Sequence, residues 1–406
     1  MNIFIINSGS SSIKYQLINL EKAITLISGK VEKIGEDIGL VTHSFRNQQG
    51  LCENRYSRSR HFKDHSHAFS LIAEDLNKFL YIFKEIKISA FGHRIVHGGD
   101  LFYKPILIDQ SIINKLQQLF KLAPLHNPAN LAGVELCRDL FPDTPQVAVF
   151  DTAFHHDMPD YAYRYALPEE WLTEKKIRRY GFHGISHCSV AKRAEKHLAR
   201  PLSELNLISF HLGNGASASA IRSGQCVDTT MGFTPLSGLM MGTRCGDIDA
   251  GVMSYLGKMS NMSFDDIDEQ LNNHSGLKAI CGENDMREIE ALAGGGNKRA
   301  QLAIDMYCYQ IIKTLGAYMA ILPTVDAIIF TAGVGEHSAL IRRRVCENLG
   351  HLGIQLDEPR NQQYQSGVFC ISHVESPIKI LIIPSNEEVE IALQVNELLK
   401  SRSSRT

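Results

Sequence analysis

A segment near the start of the chain, NSGSSSIK at residues 7–14, carries the residue types that can hold a phosphate group. It follows an apolar run at residues 3–6 and leads into a second apolar alternation. Serine hydroxyls and unhindered backbone N–H groups can surround a phosphate, and Lys14 adds a positive charge. Small polar residues are also typical of a hairpin turn. A phosphate-binding loop and an ordinary turn are both open at this point.

Two later segments repeat this arrangement. LNLISFHLGNGASASAI at 205–221 has an apolar strand, a loop of Gly, Asn and Ser, and a second strand-like alternation. DAIIFTAGVGEHS at 326–338 has an apolar strand that enters a glycine loop, after which we expect a helix to start near Ser338. These repeats indicate a duplicated α/β domain that clamps a nucleotide in the cleft between its halves.

Two common nucleotide-binding designs fit the chain poorly. The pattern G-x-x-x-x-G-K-[ST] of a Walker P-loop is absent from the sequence. Residues 213–218 match a loose dinucleotide-binding pattern, G-x-G-x-x-A, but a short alternating strand follows where a helix is required. The sequence therefore argues against a P-loop enzyme and a nicotinamide-dependent dehydrogenase.

The elements that must position these loops alternate along the whole chain. Strand-like apolar runs lie at 3–6, 89–92, 146–150, 205–212, 327–332 and 378–383. Helical periodicity is present at 67–85, 109–122, 129–140, 186–198, 300–322 and 386–400. A chain of 406 residues with this pattern predicts an α/β protein of two or three domains.

Composition excludes several classes of protein. The net charge of −2 gives no basic excess for nucleic acid, and no apolar run reaches the roughly 18 residues that a membrane span needs. Nine cysteines are scattered singly without a CxxC pair, which is typical of reduced thiols in the cytoplasm. We therefore expect a cytoplasmic protein without a nucleic-acid or membrane partner.

Nine segments, in order along essentially the whole chain, resemble the acetate kinase family. They are NSGSSSIKY (7–15), GHRIVHGG (92–99), LAPLHNPAN (122–130), VFDTAFH (149–155), YGFHGISH (180–187), HLGNGAS (211–217), GLMMGTRCGDID (238–249), TAGVGEHS (331–338) and PSNEE (384–388). The resemblance implies an α/β fold of duplicated actin/hexokinase-like (ribonuclease H-like) domains with an active-site cleft between them. The expected domains are 1–152 plus 388–406, and 153–387.

The same resemblance implies a reaction. The family transfers a phosphoryl group reversibly from ATP to acetate, with Mg²⁺, and gives ADP and acetyl phosphate by direct in-line attack. It also implies a homodimer. A propionate or other short-chain acyl kinase would share every charged residue and is the main alternative; a non-catalytic actin-like nucleotide switch is a second one.

This chemistry calls for cations and needs no general base. A carboxylate is already ionised at pH 7 because its pKa lies near 4, so the difficulty is the approach of one anion to another. Arg94, His183 and Arg244 can supply the positive charge and the hydrogen-bond donors. From the residues alone, each also has a structural interpretation: a surface ion pair for Arg94, a core histidine, and a salt bridge from Arg244 to Asp247 or Asp249.

The resemblance assigns roles to these residues. Arg94 would bind the carboxylate or the transferring phosphoryl group, Arg244 would act as a built-in arginine finger, and His183 would donate to equatorial oxygens. Asp151 ends a strand-like run, which is a common active-site position in α/β folds, and from that position we expect it to position metal-bound water, to orient the arginines, or both. Val96, Leu125, Phe182 and Pro235 match the apolar pocket for the acetate methyl group.

The resemblance also implies the metal and nucleotide contacts. Mg²⁺, or Mn²⁺ in its place, would be bound by Asn7 and Glu387, while Ser385 and Glu388 have the spacing of a helix capping box. The ATP/ADP contacts would be Lys14, Ser10, Ser12, His211, Leu212, Gly213, Asn214, Gly215, Asp285, Met286, Arg287, Gly333, Val334, Gly335, Glu336 and His337. His337, Cys245 and Ala250 depart from the usual Asn, Ser and Pro of the family.

Overall fold

The chain folds into two compact units in a computed structural model that describes residues 1–9, 12–46, 52–82, 86–124 and 126–403. Unit 1 comprises Met1–Ala153 and Asn386–Thr406, and unit 2 comprises Phe154–Ser385. Glu387, which the sequence boundaries place in the second domain, lies in unit 1. The reason is that Glu387 begins a helix that packs on the unit 1 sheet.

Unit 1 is built on a mixed sheet. Its strands are β1 (Asn2–Ser8), β2 (Ser12–Asn19), β3 (Ile24–Glu32), β4 (Gly39–Arg46), β5 (Cys52–Arg60), β6 (Ala90–Ile95), β7 (Ile106–Leu107) and β8 (Gln146–Phe150). Its helices are α1 (His65–Ile82), α2 (Gln110–Gln118), α3 (Asn127–Leu140) and the last helix of the chain, α15 (Glu387–Ser403). The strand order is β5-β4-β3-β2-β1-β6-β8-β7.

The centre of this sheet is parallel and buried. β1, β6 and β8 run parallel to one another, and every residue of β8 is buried. Helix α15 packs against β1 and β6. Gly92 makes that approach possible, because a Cβ at this position would lie 2.9 Å from Ile391 Cγ2 and 3.0 Å from Val395 Cγ2.

Unit 2 contains a second sheet. Its strands are β9 (Asn206–Leu212), β10 (Ala216–Arg222), β11 (Gln225–Thr229), β12 (Ala327–Thr331), β13 (Phe369–Cys370) and β14 (Lys379–Ile382). Its helices are α4 (Asp160–Tyr163), α5 (Glu169–Thr173), α6 (Gly184–Leu198), α7 (Gly251–Met259), α8 (Phe264–Asn273), α9 (Gly276–Cys281), α10 (Met286–Gly294), α11 (Lys298–Ile321), α12 (Ala332–His337), α13 (Ala339–Cys346) and α14 (Glu358–Gln362). The strand order is β11-β10-β9-β12-β14-β13.

The two sheets share one topology. In each, three antiparallel strands (β3-β2-β1 or β11-β10-β9) continue into two parallel partners (β6-β8 or β12-β14). The predicted repeat of the opening layout is confirmed, since β1–β2 and β9–β10 are both antiparallel hairpins. The carboxyl ends of the parallel strands are the expected ligand-binding edge of each unit.

The third glycine segment differs from its prediction. Residues 332–337 were expected to form a loop, but they form the short helix α12 directly after β12. The expected helix start near Ser338 is confirmed, because the Ser338 Oγ accepts a hydrogen bond from the Ile341 N–H and caps α13. A strand that passes straight into a helix still places the glycines at the strand's carboxyl end.

Candidate active site

In unit 1, four predicted site residues meet at the carboxyl ends of the strands. Arg94 on β6 donates from Nη2 to Asp151 Oδ2 at 2.8 Å and from Nη1 to Asn7 Oδ1 at 3.1 Å. Its Nε lies 3.8 Å from Glu387 Oε2 at the start of α15. Asp151 is 1% exposed, directly after β8. The cluster joins residues from β1, β6, the end of β8 and α15.

Burial and neighbouring charges together determine the pKa values of Arg94 and Glu387 in this cluster. Burial disfavours the charged form of Arg94, but Asp151 and Glu387 outweigh it and raise the pKa of the guanidinium, so Arg94 stays charged. Burial also raises the pKa of Glu387, and the charges of Asp151 and Glu388 act in the same direction against Arg94 and Lys14. A second cation near Glu387 would favour its ionised form.

The helix start at α15 departs from the predicted capping box. The Ser385 N–H donates to Glu336 Oε1 at 2.9 Å, so Glu388 does not close the box, and the Asn386 Oδ1 accepts from the Val389 N–H at 3.2 Å. The prediction of a capping box is therefore wrong, because the Glu388 carboxylate contacts Asn7 Nδ2 at 3.5 Å and not the Ser385 N–H.

The Asn7 amide holds both carboxylates. Its Nδ2 donates to Glu387 Oε2 at 3.3 Å as well as to Glu388, while its Oδ1 accepts from Arg94. Lys14 pairs with Asn7 across the β1–β2 hairpin, so their side chains share one face of the sheet. Lys14 thus lies beside the carboxylates of unit 1. Ser12 begins β2, and Ser10 lies outside the described residues.

Two asparagines of α3 hold the loops that carry these residues. Asn130 accepts from the Val96 N–H at 3.0 Å and donates to the Ser8 carbonyl at 2.8 Å, which joins the ends of β6 and β1. Asn127 pairs in the same way with both backbone groups of His97. Sequence reasoning assigned neither residue a role. The motif LHNPAN was visible, but its partners lie far away in sequence.

In unit 2, His183 and Arg244 lie close to the glycine loop between β9 and β10. A Cβ at Gly215 would lie 3.5 Å from His183 Nε2 and 3.6 Å from Arg244 Nη1. His183 has a left-handed backbone conformation, with φ 57° and ψ 23°, immediately before α6. Such a conformation costs roughly 1–2 kcal/mol in a residue other than glycine and is concentrated at functional sites.

Arg244 is a half-buried cation without an anionic partner among the described residues. Its Nη1 donates to the Pro235 carbonyl at 3.3 Å, and burial lowers its pKa. The salt bridge to Asp247 or Asp249 that the residues alone allowed is absent. Asp247 accepts from the Gly238 N–H at 2.7 Å, and Asp249 accepts from the Gly251 N–H at 2.8 Å. Arg244 therefore remains available to an anion.

A cavity of about 460 Å³ opens beside this loop, a size within the range of small-molecule sites. Among its lining residues are predicted nucleotide contacts, namely Gly213, Asn214, Asp285, Met286, Arg287, Gly333, Val334 and His337. The cavity also contacts residues that were not predicted, namely Leu277, Asn284, Glu290 and Ser338. The predicted contacts His211, Leu212, Gly215, Gly335 and Glu336 belong to the same loops but do not line it.

A buried arginine supports one wall of this cavity. Arg342 is 1% exposed and donates from Nη1 to the carbonyls of Gly335 and Glu336, both at 2.9 Å. These are carbonyls of the last turn of α12, which has no further turn to bond them. Arg342 also donates to Asn361 through Nε and Nη2. The segment with Gly333 and Val334 is thus fixed by a side chain that no sequence motif identified.

The predicted acyl-pocket residues are divided between the units. Val96 is buried in unit 1, and Phe182 is buried in unit 2. Pro235 in unit 2 contributes its carbonyl to Arg244. Leu125 lies outside the described residues. Their joint role in binding a methyl group stays a prediction.

The duplicated sheet topology and the loops at its strand ends place the fold in the α/β class of actin/hexokinase-like kinases. A sequence profile of the acetokinase family matches residues 2–393. An acetate kinase of Helicobacter pylori (strain Shi470) is 50% identical over 401 residues, which covers 98% of this chain and 99% of that protein. The chain therefore belongs to the acetokinase family.

Two solved structures have nearly the same architecture. The acetate kinase of Porphyromonas gingivalis is 38% identical with a TM-score of 0.89 and covers 98% of this chain and 99% of its own. A propionate kinase from Francisella tularensis is 39% identical with the same TM-score of 0.89, over 97% of this chain and 98% of its own. Across the described residues, no helix combines the length and apolar character that a membrane span requires.

Proposed function

We propose that this protein transfers the γ-phosphoryl group of ATP reversibly to acetate and forms acetyl phosphate and ADP. The observation that carries the proposal is the position of His183 and Arg244 at Gly215, beside a nucleotide-sized cavity, with no carboxylate of the described residues paired to Arg244. A cation and a donor placed in this way stabilise negative charge that spreads over phosphoryl oxygens.

The acceptor carboxylate is assigned to Arg94. Its planar fork suits a carboxylate, and Asp151 and Asn7 fix that fork through separate nitrogens. Because acetate is ionised at pH 7, we assign Asp151 to orienting Arg94 and not to removing a proton. Acetate then attacks phosphorus in line, the new C–O–P bond forms, and ADP leaves with the electrons of the broken P–O bond.

The side chains around Glu387 are suitable ligands for a Mg²⁺ ion. The Glu387 carboxylate is largely buried, its ionised form is disfavoured by that burial and by neighbouring acids, and Glu388 lies next to it. Hard Mg²⁺ takes one or two carboxylates together with water and phosphate oxygens, and Mn²⁺ accepts the same ligands. When bound, the cation neutralises charge on the phosphates. Asn7 holds the carboxylates, and ligation through its Oδ1 would replace the hydrogen bond from Arg94.

The experiment is a substrate series. Purified protein with ATP and Mg²⁺ is given formate, acetate, propionate and butyrate, and the acyl phosphate is trapped as the hydroxamate. We expect the highest kcat/KM with acetate. A higher value with propionate would favour the second candidate, a propionate kinase, which the Francisella relative supports. No acyl phosphate from any acid would refute both.

We also propose a homodimer, and helix α7 supports it. None of its residues is buried, and its exposed apolar residues Val252, Tyr255 and Met259 follow helical spacing. Tyr255 is 63% exposed and Met259 is 69% exposed. Exposed apolar stripes of this kind mark interaction surfaces. A second copy of the chain is the proposed occupant.

Light scattering after size exclusion tests the dimer. The double substitution Tyr255→Asp and Met259→Asp is expected to give monomers, while Tyr103→Asp on unit 1, also an exposed aromatic, is expected to leave the dimer intact. A dimer in both variants would remove α7 from the interface. The cytoplasm is the proposed compartment, since the cysteines with described side chains are all free thiols and ATP is the phosphoryl donor.

A further inference from the structure

Behind His183, a line of buried hydrogen bonds runs into the core of unit 2. His183 Nδ1 lies 2.9 Å from Ser217 Oγ on β10, and His187 Nε2 lies 2.8 Å from the same oxygen. The Nδ1 of His187 contacts Ser209 Oγ on β9. The order is therefore Ser209, His187, Ser217, His183. The first three of these side chains are fully buried.

His187 is neutral in this environment. Burial lowers its pKa well below the usual value, and the nearby rings of His155 and His211 act in the same direction. A neutral imidazole carries one N–H and one acceptor nitrogen, so one of its two serine contacts is a donation and the other is an acceptance. The direction of hydrogen-bond donation from Ser209 to His183 therefore depends on which ring nitrogen of His187 carries the proton.

The buried hydroxyl of Ser209 determines the direction of donation. Its hydroxyl hydrogen is buried, and within the described part of the chain the only acceptor it contacts is His187 Nδ1. A buried hydroxyl without an acceptor costs roughly 1–3 kcal/mol, so Ser209 donates to Nδ1. His187 must then carry its proton on Nε2 and donate it to Ser217. Ser217, with its oxygen accepting from His187, is left to donate to His183 Nδ1.

We propose that Ser209, His187 and Ser217 form a one-way hydrogen-bond relay that keeps His183 neutral with its proton on Nε2. The Nε2 is the atom near Gly215 and Arg244, so the relay presents an N–H donor where the phosphoryl oxygens would lie. This inference rests on the proposed function for its catalytic consequence. The tautomer itself follows from the hydrogen bonds alone.

The neighbouring His211 also has a buried serine hydroxyl at its Nδ1 atom. His211 Nδ1 lies 2.8 Å from Ser186 Oγ, and Ser186 is fully buried. The ring of His211 stacks on the ring of His183, with centroids 4.1 Å apart and planes 21° apart. The stacked ring of His211 fixes the orientation of the His183 ring. The hydroxyls of Ser217 and Ser186 thus each contact the Nδ1 atom of one of the two stacked histidine rings.

The relay residues are positioning residues, and ring nitrogen spectroscopy tests them without reference to activity. Protein labelled with ¹⁵N-histidine is compared with the His183→Gln variant to assign the His183 signals at pH 8. We expect a neutral ring with its proton on Nε2. A proton on Nδ1, or on both nitrogens, would overturn the proposal whether or not the protein phosphorylates acetate.

Kinetics test the consequence with a matched control. Ser217→Ala removes the hydroxyl between the two histidines, and we expect kcat to fall about tenfold, with the KM for ATP changed less than about twofold. Ser219→Ala is the control, because Ser219 is also fully buried on β10 but its hydroxyl donates to Thr229 Oγ1. We expect the control to keep its kcat and to share any small change in melting temperature.

The two measurements separate the possible failures. An unchanged kcat in Ser217→Ala, or an equal loss in Ser219→Ala, would overturn the positioning role even if the tautomer is as proposed. An inactive wild type that shows the Nε2 proton would refute the proposed function and leave the relay standing. Ser209→Ala is expected to lower kcat less than Ser217→Ala, since it acts one hydrogen bond further from His183.

Discussion

Replacement of Arg244 by methionine should separate catalysis from stability. Arg244 is half-buried without an anionic partner in the described structure, and this partial burial lowers its pKa, so its charge is a cost to the folded state. Methionine removes that cost and also the hydrogen bond to the Pro235 carbonyl, worth roughly 1 kcal/mol. The two effects nearly cancel. We expect a free energy of unfolding within about 1 kcal/mol of wild type, or about 2–4 °C in melting temperature.

Activity should respond very differently. Loss of a donor that stabilises charge in the transition state typically lowers kcat by about 10²–10³, equivalent to roughly 2.7–4 kcal/mol. Arg244→Lys keeps the charge but loses the planar fork, so it should recover only part of the rate. The assay is hydroxamate trapping with saturating ATP, Mg²⁺ and acetate, beside a calorimetric melting scan.

Arg94→Met is the matched control because Arg94 is paired. Its loss leaves Asp151, 1% exposed, as a buried carboxylate without its ion partner. Breaking a buried ion pair in this way costs about 3–5 kcal/mol, so this variant should melt well below wild type. If Arg244→Met melts as low as Arg94→Met, or keeps a kcat within about threefold of wild type, the account of Arg244 as an unpaired catalytic cation is refuted.

Three further outcomes are expected. Glu387→Gln should raise the Mg²⁺ concentration for half-maximal activity about tenfold or more, and a titration in which Glu388→Gln shifts it further would contradict the assignment. Val96→Ala should raise the propionate-to-acetate ratio of kcat/KM about tenfold, because a methylene in an apolar pocket is worth roughly 1–3 kcal/mol, and an unchanged ratio would place Val96 outside the pocket. Asn130→Ala should lower the free energy of unfolding by about 2–4 kcal/mol in a denaturant titration, since it leaves the Val96 N–H and Ser8 carbonyl without their amide partner; a loss below about 1 kcal/mol would show that other groups replace it.

The central strands could be predicted because they are buried on both faces. Parallel strands covered by helices are nearly continuous apolar runs, and QVAVF in β8 or AIIFT in β12 fits that pattern. The outer strands of unit 1 escaped detection. β5, CENRYSRSR, is the edge strand and β4, GLVTHSFR, lies next to it; both carry many polar residues and give no such signal.

Helix α7 was missed for a related physical reason. No residue in it is buried, so its apolar residues follow a surface stripe and not a core face. The helix spans only nine residues, and two of them, Gly251 and Gly257, lower its helix propensity and weaken the signal in the sequence.

Candidate site residues could be identified from sequence where their signal is local, and not where it depends on distant partners; their roles stay predictions. The glycine loop with Gly215 and the cations could be recognised from sequence. The capping box failed because Ser385 and Glu388 have tertiary partners, Glu336 and Asn7, that outcompete a local rule. The bridge made by Asn130 joins segments separated by more than a hundred residues in one direction and by 34 in the other.

The return of α15 to the first sheet has a consequence for biosynthesis. Unit 2 is a continuous segment and can fold as soon as it leaves the ribosome, whereas unit 1 lacks α15 until the whole of unit 2 has been made. Until then, the face of β1 and β6 at Gly92 has no cover from Ile391 and Val395. Glu387 arrives with the same helix. A nascent chain therefore carries an exposed apolar surface and an unfinished carboxylate cluster until α15 has been made and has docked on the first sheet.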